Sequence, residues 1–96
     1  MRRHGTDSNG RNFTPERVQQ VWEKGKTVPG KDPDLYRRDS EGHVLYRYAY
    51  GKHGDVSWQV DHEVPVAKGG SDNLRNLQPL QSSANAEKGD RLQHGG

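Results

Sequence analysis

The sequence predicts a small α+β protein, and three observations carry that prediction. Val18, Val21 and Trp22 recur at the i, i+3, i+4 spacing of one helix face. The turn-rich stretches "DSEG" and "GKHGD" separate short runs rich in Tyr, Val and Trp, which read as strands. A last polar run, "SSANAEKGD", is a helix candidate that follows two further strand candidates directly.

Taken in order, residues 1–12 are polar and glycine-containing and are expected to form a flexible arm. Arg2, Arg3 and Arg11 in it are either phosphate contacts or part of a solvated terminus. "TPERVQQVWEKG" predicts a helix capped by Thr14, opened by Pro15 and stopped by Gly25. Its Val18, Val21, Trp22 stripe is expected in the core, with base stacking by Trp22 as the lesser reading. "KTVPGKDPD" reads as a loop. "LYRRDSEGHVLYRYAYG" predicts a hairpin, with Leu35 to Arg38 going out and Val44 to Tyr50 returning. Period two then places Tyr46, Tyr48 and Tyr50 on one face and Leu45, Arg47 and Ala49 on the other.

"VSWQVDH" is the next expected strand, with Trp58 and Val60 pointing the same way. "EVPVAKGGSDNLR" is a long loop, and "NLQPL" fits an edge strand because of its proline. The closing helix is expected to be capped by Ser82 or Ser83 and stopped by Gly89. No internal repeat is visible, and residues 13–96 read as one domain.

Composition limits the function classes. With 27% hydrophobic and 29% charged residues, the core must be thin. The absence of cysteine excludes disulfides, cysteine zinc sites and a cysteine nucleophile. The net charge of +2 favours an anionic partner only weakly, because 13 acids are interspersed with 15 bases. No apolar run approaches a membrane span, and "MRRHGTDSNGR" lacks the apolar stretch of a secretory signal. A cytoplasmic setting is the expectation.

Chemistry concentrates between Val60 and Asp90. Neutral histidine can take a proton from water near neutral pH, which makes His62 a candidate base. Its neighbour Asp61 offers a hard oxygen ligand for Mg²⁺ or Mn²⁺. Gly69 and Gly70 permit positive φ or close backbone approach, and Ser71, Asp72 and Asn73 are turn formers. Asn76 carries a donor and an acceptor with which to pin a loop, and Asn85 can offer a carbonyl oxygen to a hard cation. Adjacent strand residues face opposite sides, so Asp61 and His62 can serve one site only where the strand ends or twists.

"VDHEVPVAKGGSDNLRNLQPLQSSANAEKGD" closely resembles the motif of HNH endonucleases, the His-Me finger or ββα-metal group. The shared pattern is Asp-His, a proline, a Gly-Gly-Ser-Asp loop, Asn-Leu-Gln-Pro-Leu and Asn-x-x-Lys-Gly-Asp. The resemblance covers roughly residues 56–90, and "VPGKDPDLYRRDSEG" extends it more faintly toward small, cysteine-free, often phage-associated members. It implies a ββα-metal core preceded by a helix and hairpin, and an enzyme that cleaves duplex DNA in a bacterial or phage-infected cell. His62 matches the general base, Asp61 and Asn85 the ligands of one divalent metal, and Asn76 the loop-orienting asparagine. Lys88 matches a helix lysine that makes a phosphate or structural contact, and Arg37, Arg38 and Arg47 are either backbone-gripping or simply solvated. The metal implied is Mg²⁺ or Mn²⁺, with Zn²⁺ or Ni²⁺ as stand-ins in crystals, and the products implied are 5′-phosphate and 3′-hydroxyl ends. A non-catalytic nucleic-acid-binding module, an RNA-directed nuclease and a structural protein with an incidental match remain the rivals.

Overall fold

The computed structural model describes residues 5–95, with side chains through residue 88. Arg2 and Arg3 of the expected arm therefore lie outside the described residues. Helix α1 spans Pro15–Trp22; Thr14 caps it by accepting from the Arg17 N–H, and proline occupies its first turn. The chain leaves it through backbone turns from Lys24 to Val21 and from Gly25 to Trp22.

Three short antiparallel strands follow: β1 at Lys26–Thr27, β2 at Tyr36–Arg38 and β3 at Val44–Tyr46. β1 lies where the sequence predicts only loop. It has two exposed residues and so no apolar pattern to announce it. The hairpin return is also shorter than expected. Residues 47–49 curl into a 3₁₀ turn, which breaks the period-two tyrosine face. The reason is a lost partner strand: Leu35 and Tyr36 turn back onto the Asp32 carbonyl, so β2 starts at Tyr36, and beyond the Tyr36–Tyr46 pair the Arg47 N–H still reaches across to the Leu35 carbonyl before the chain curls away. Tyr50 consequently packs on Trp58, with ring centroids 4.9 Å apart, while Tyr48 stays 63% exposed.

The second sheet is a two-stranded antiparallel ribbon, β4 at Trp58–His62 and β5 at Leu77–Gln81. Its register sets Asp61 opposite Gln78 and His62 opposite Leu77. Pro79 is tolerated because a two-stranded ribbon consists of edges. Helix α2, Ser82–Gly95, follows β5 without a loop. It passes through Gly89, which was expected to stop it; an interior glycine costs only about 1 kcal/mol against alanine. The serine hydroxyls bond elsewhere than the expected cap, Ser82 donating to the Lys52 carbonyl and Ser83 to Gln81. None of the described helices is long and apolar enough to cross a membrane.

Val18, Val21 and Trp22 of α1 join Leu45, Trp58, Val60 and Leu77 in one buried cluster, with Phe13, Tyr50 and Leu74 against it. Trp22 and Trp58 sit at its centre, 5.2 Å apart, and each indole N–H reaches a carbonyl, Pro33 for Trp22 and Arg47 for Trp58. Trp22 is thus a core residue with no exposed face for a base. Asp39, also buried, ties the two sheets together by accepting from the backbone N–H groups of Glu41, His43 and Gln81. The result is an α+β architecture in which the first sheet and α1 support a strand–strand–helix unit, β4–β5–α2.

Candidate active site

Both faces of β4 are covered, by different parts of the chain. Gln59 and Asp61, two residues apart, turn toward α2. The Gln59 Oε1 accepts from the Asn85 amide at 2.9 Å, and the Asp61 Oδ2 accepts from the Lys88 ammonium at 2.8 Å. Val60, on the other face, belongs to the core. His62 follows it and meets the N-terminal segment and the loop after β4. Its Nε2 lies 2.7 Å from Asp72 Oδ1, and its ring is 6.0 Å from that of Phe13, centroid to centroid. Asp61 and His62 thus point to opposite sides, as strand alternation requires. The strand stops at His62, and Lys88 spans the two faces there, touching Asp61 Oδ2 and the His62 carbonyl.

The loop between β4 and β5 is fixed by Asn76. Its Oδ1 accepts from the Val64 N–H, and its amide donates to the carbonyls of Val64 and Ser71. The Glu63 N–H also reaches the Asn76 carbonyl. The two glycines have separate tasks. Gly69 takes a left-handed φ of 89° to end the short turn at Val66–Lys68. Gly70 lies so close to the preceding chain that a Cβ there would sit 1.7 Å from the Val64 carbonyl oxygen. This folding-back brings Asp72 to His62.

Asp72 is held on several sides. Besides His62, it accepts from the Ser8 N–H at 3.0 and 3.1 Å and from the Ser8 hydroxyl at 2.7 Å. Burial pushes its carboxyl up, but the hydrogen bonds from His62 and Ser8 and the attraction to His62 outweigh that and leave it below the usual carboxylate value. Residues 5–12, expected as part of a flexible arm, carry this anchoring contact through Ser8, and Thr6 within them is buried.

The donors on the α2 side suit a hard cation. Asp61 and Asn85 are both buried and lie along the same β4–α2 seam. Their contacts use Asp61 Oδ2 and the Asn85 amide nitrogen, so neither Asp61 Oδ1 nor the Asn85 carbonyl oxygen bonds another described residue. Two oxygen donors match the preference of Mg²⁺ or Mn²⁺, which keep most of their other positions for water and phosphate. Among the described residues no group of three or more His, Cys, Asp or Glu side chains could hold a metal.

The hairpin arginines separate into two kinds. Arg37 braces the interior, donating to the carbonyls of Pro33, Glu23 and Gly25. Arg47 donates to Gln19 and lies over the rings of Tyr48 and Trp58. Arg38, with Lys24 and Lys26, lines a cavity of about 130 Å³ that also touches Gln78 and Glu63, beside Asp61. Lys24 in it bonds the carbonyls of Leu74 and Leu77. Sequence reasoning missed Gln59 and Gln78, the neutral partners of Asn85 and Asp61, although Gln59 stands two residues before Asp61 on the same face. It also gave Asp72 no role beyond the turn, and nothing in the sequence links Ser8 to a residue 64 positions away.

A ribbon ending in Asp-His, a tightly folded Gly-Gly loop and a following helix that supplies Asn85 make up a strand–strand–helix module. Residues 51–91 match the family model described as HNH endonuclease. Comparison with curated proteins and with solved structures finds no match.

Proposed function

We propose that this protein is a divalent-metal-dependent endonuclease that hydrolyses DNA phosphodiester bonds, with residues 13–96 as the nuclease unit. One observation carries the reading: at the end of β4 a histidine held by a carboxylate lies next in sequence to an aspartate that shares a helix seam with Asn85. Phosphodiesters resist attack because their anionic oxygens repel nucleophiles, so a hydrolase needs a base for water and a cation for the phosphate.

In this reading His62 accepts the proton of the attacking water. Asp61 and Asn85 hold one Mg²⁺ or Mn²⁺ through hard oxygen atoms. When bound, the ion neutralises phosphate charge and stabilises the departing 3′ oxygen, which fits 5′-phosphate and 3′-hydroxyl products. Asn76 keeps the loop in register so that Asp72 stays on His62. Gln78 and Lys88 orient the Asp61 carboxylate. Lys88, which also reaches the His62 carbonyl, is the cation best placed to meet a phosphate at the strand end. Arg38 and Lys26 offer non-specific backbone contacts to duplex DNA, whereas Arg37 and Arg47 serve the fold.

Incubation with supercoiled plasmid and Mg²⁺ or Mn²⁺ tests the reading. Nicked or linear product that disappears with chelator, and that ligase can reseal at nicks, supports it. DNA binding without cleavage across several divalent metals contradicts it, and faster cleavage of RNA reassigns the substrate.

A further inference from the structure

The Asp72 carboxylate joins three separate parts of the chain. It belongs to the loop after β4, it bonds the His62 ring at 2.7 Å, and it receives both polar hydrogens of Ser8 from the N-terminal segment. Ser8 and Phe13 lie outside the residues that match the family, yet both reach the His62 end of the site. The His62 side chain is only 4% exposed, so its ring has little room to choose another orientation.

A neutral imidazole has one N–H and one lone pair, and the partner of one nitrogen decides the role of the other. An ionised carboxylate only accepts hydrogen bonds, so the 2.7 Å contact requires His62 Nε2 to carry the proton. Nδ1 is then the nitrogen with the free lone pair. Among the described residues no group bonds Nδ1.

We infer that Asp72 is a positioning residue for His62: it holds the imidazole as the Nε2–H tautomer with Nδ1 free to take a proton from water, and Ser8 locks Asp72 in that orientation. The inference rests on the nuclease reading for its kinetic consequence but not for its structural one. It makes the N-terminal segment part of the site's support. Ser8 fixes the carboxylate, the carboxylate fixes the ring, and Phe13 flanks the ring.

The experiment uses the full chain with ¹³C,¹⁵N-labelled histidine, its His62 signals assigned with a His62→Gln variant. At about pH 8 an ordinary imidazole is neutral, and ring ¹⁵N and ¹³Cδ2 shifts then report the tautomer. The wild type is expected to show the Nε2–H form, Asp72→Ala a mixture, and Ser8→Ala a smaller change in the same direction. Single-turnover plasmid cleavage should fall roughly 10-fold in kcat for Asp72→Ala, with Kd for DNA unchanged, the usual order for losing an orienting partner. Asp72→Glu should recover part of that loss, and circular dichroism should show each variant folded. An Nδ1–H tautomer in the wild type overturns the inference, as does a changed tautomer with unaltered kcat, or no change in either for Asp72→Ala. If the wild type itself cleaves nothing, the nuclease reading fails separately and the tautomer alone decides the role of Asp72.

Discussion

His62 and Asp72 form a close polar contact, 2.7 Å between Nε2 and Oδ1, and it links the strand carrying the candidate base to a loop that is itself anchored by Ser8. Its acid sensitivity follows from Asp72. Burial raises this carboxyl, the bonds from His62 and Ser8 lower it further than burial raises it, and the net value lies below the ordinary 3.8. A group depressed in the folded state adds stability that is fully present above its unfolded value and is lost as pH falls through the folded one. Thermal unfolding of wild type and Asp72→Asn should therefore converge as pH falls from about 5 to below the ordinary carboxylate range. A difference that grows over that acid range would contradict the assignment. The effect should be modest, because the Asp72 side chain remains 34% exposed.

The two loop glycines should respond unequally to alanine. At Gly69 the penalty is backbone strain at a φ of 89°, about 1–2 kcal/mol. At Gly70 the new methyl meets the Val64 carbonyl at 1.7 Å, and backbone must move to admit it. Gly70→Ala should lower the midpoint of denaturant unfolding more than Gly69→Ala, and it should displace Asp72 from His62. Equal losses would count against the close approach as the reason for this glycine.

Asn76 makes three hydrogen bonds to loop backbone, and none of them reaches the candidate metal ligands. Asn76→Ala should cost about 1–3 kcal/mol in urea unfolding, at roughly 1 kcal/mol net per bond. Divalent-metal affinity, measured by calorimetry on the folded variant, should change little. A large loss of metal binding with stability intact would make Asn76 a ligand instead.

Lys88 places its ammonium on Asp61 Oδ2, in competition with any metal at that carboxylate. Lys88→Met keeps the length of the stem and removes the charge. It should tighten Mn²⁺ binding several-fold by calorimetry, on the order of 1 kcal/mol for one exchanged cation contact, while cleavage falls if Lys88 also meets phosphate. Unchanged or weaker Mn²⁺ binding would show that the lysine does not compete.

The sequence reads most clearly where residue type and spacing leave one physical solution. Thr14-Pro15 with Val18, Val21 and Trp22 could only start an amphipathic helix, and that helix is present. Trp58 to His62 and the proline-bearing partner segment are likewise legible as strands. Lys26 and Thr27 were not, because two exposed residues acquire their pairing wholly from Arg37 and Arg38. The turn at Arg47 was hidden for a similar reason: whether β3 continues depends on where β2 begins, which the Asp32 turn decides. Within the site, Asp61, His62, Asn76 and Asn85 stood out by spacing. Gln59, Gln78 and Ser8 did not, since their roles arise from cross-strand register and a contact spanning 64 positions. The sequence also placed Arg37 and Arg47 alongside Arg38, and only packing reveals that the first two brace the interior.

His62 is proposed as the base of a metal-dependent DNA hydrolase. The most direct test compares wild type and His62→Ala for cleavage of supercoiled plasmid in Mg²⁺ and Mn²⁺, with DNA affinity measured on the same samples. The wild type should cleave, chelator should abolish the reaction, and His62→Ala should lose at least ~100-fold at unchanged DNA affinity. Full activity in His62→Ala, or no cleavage by a wild type that binds DNA, would contradict the proposal.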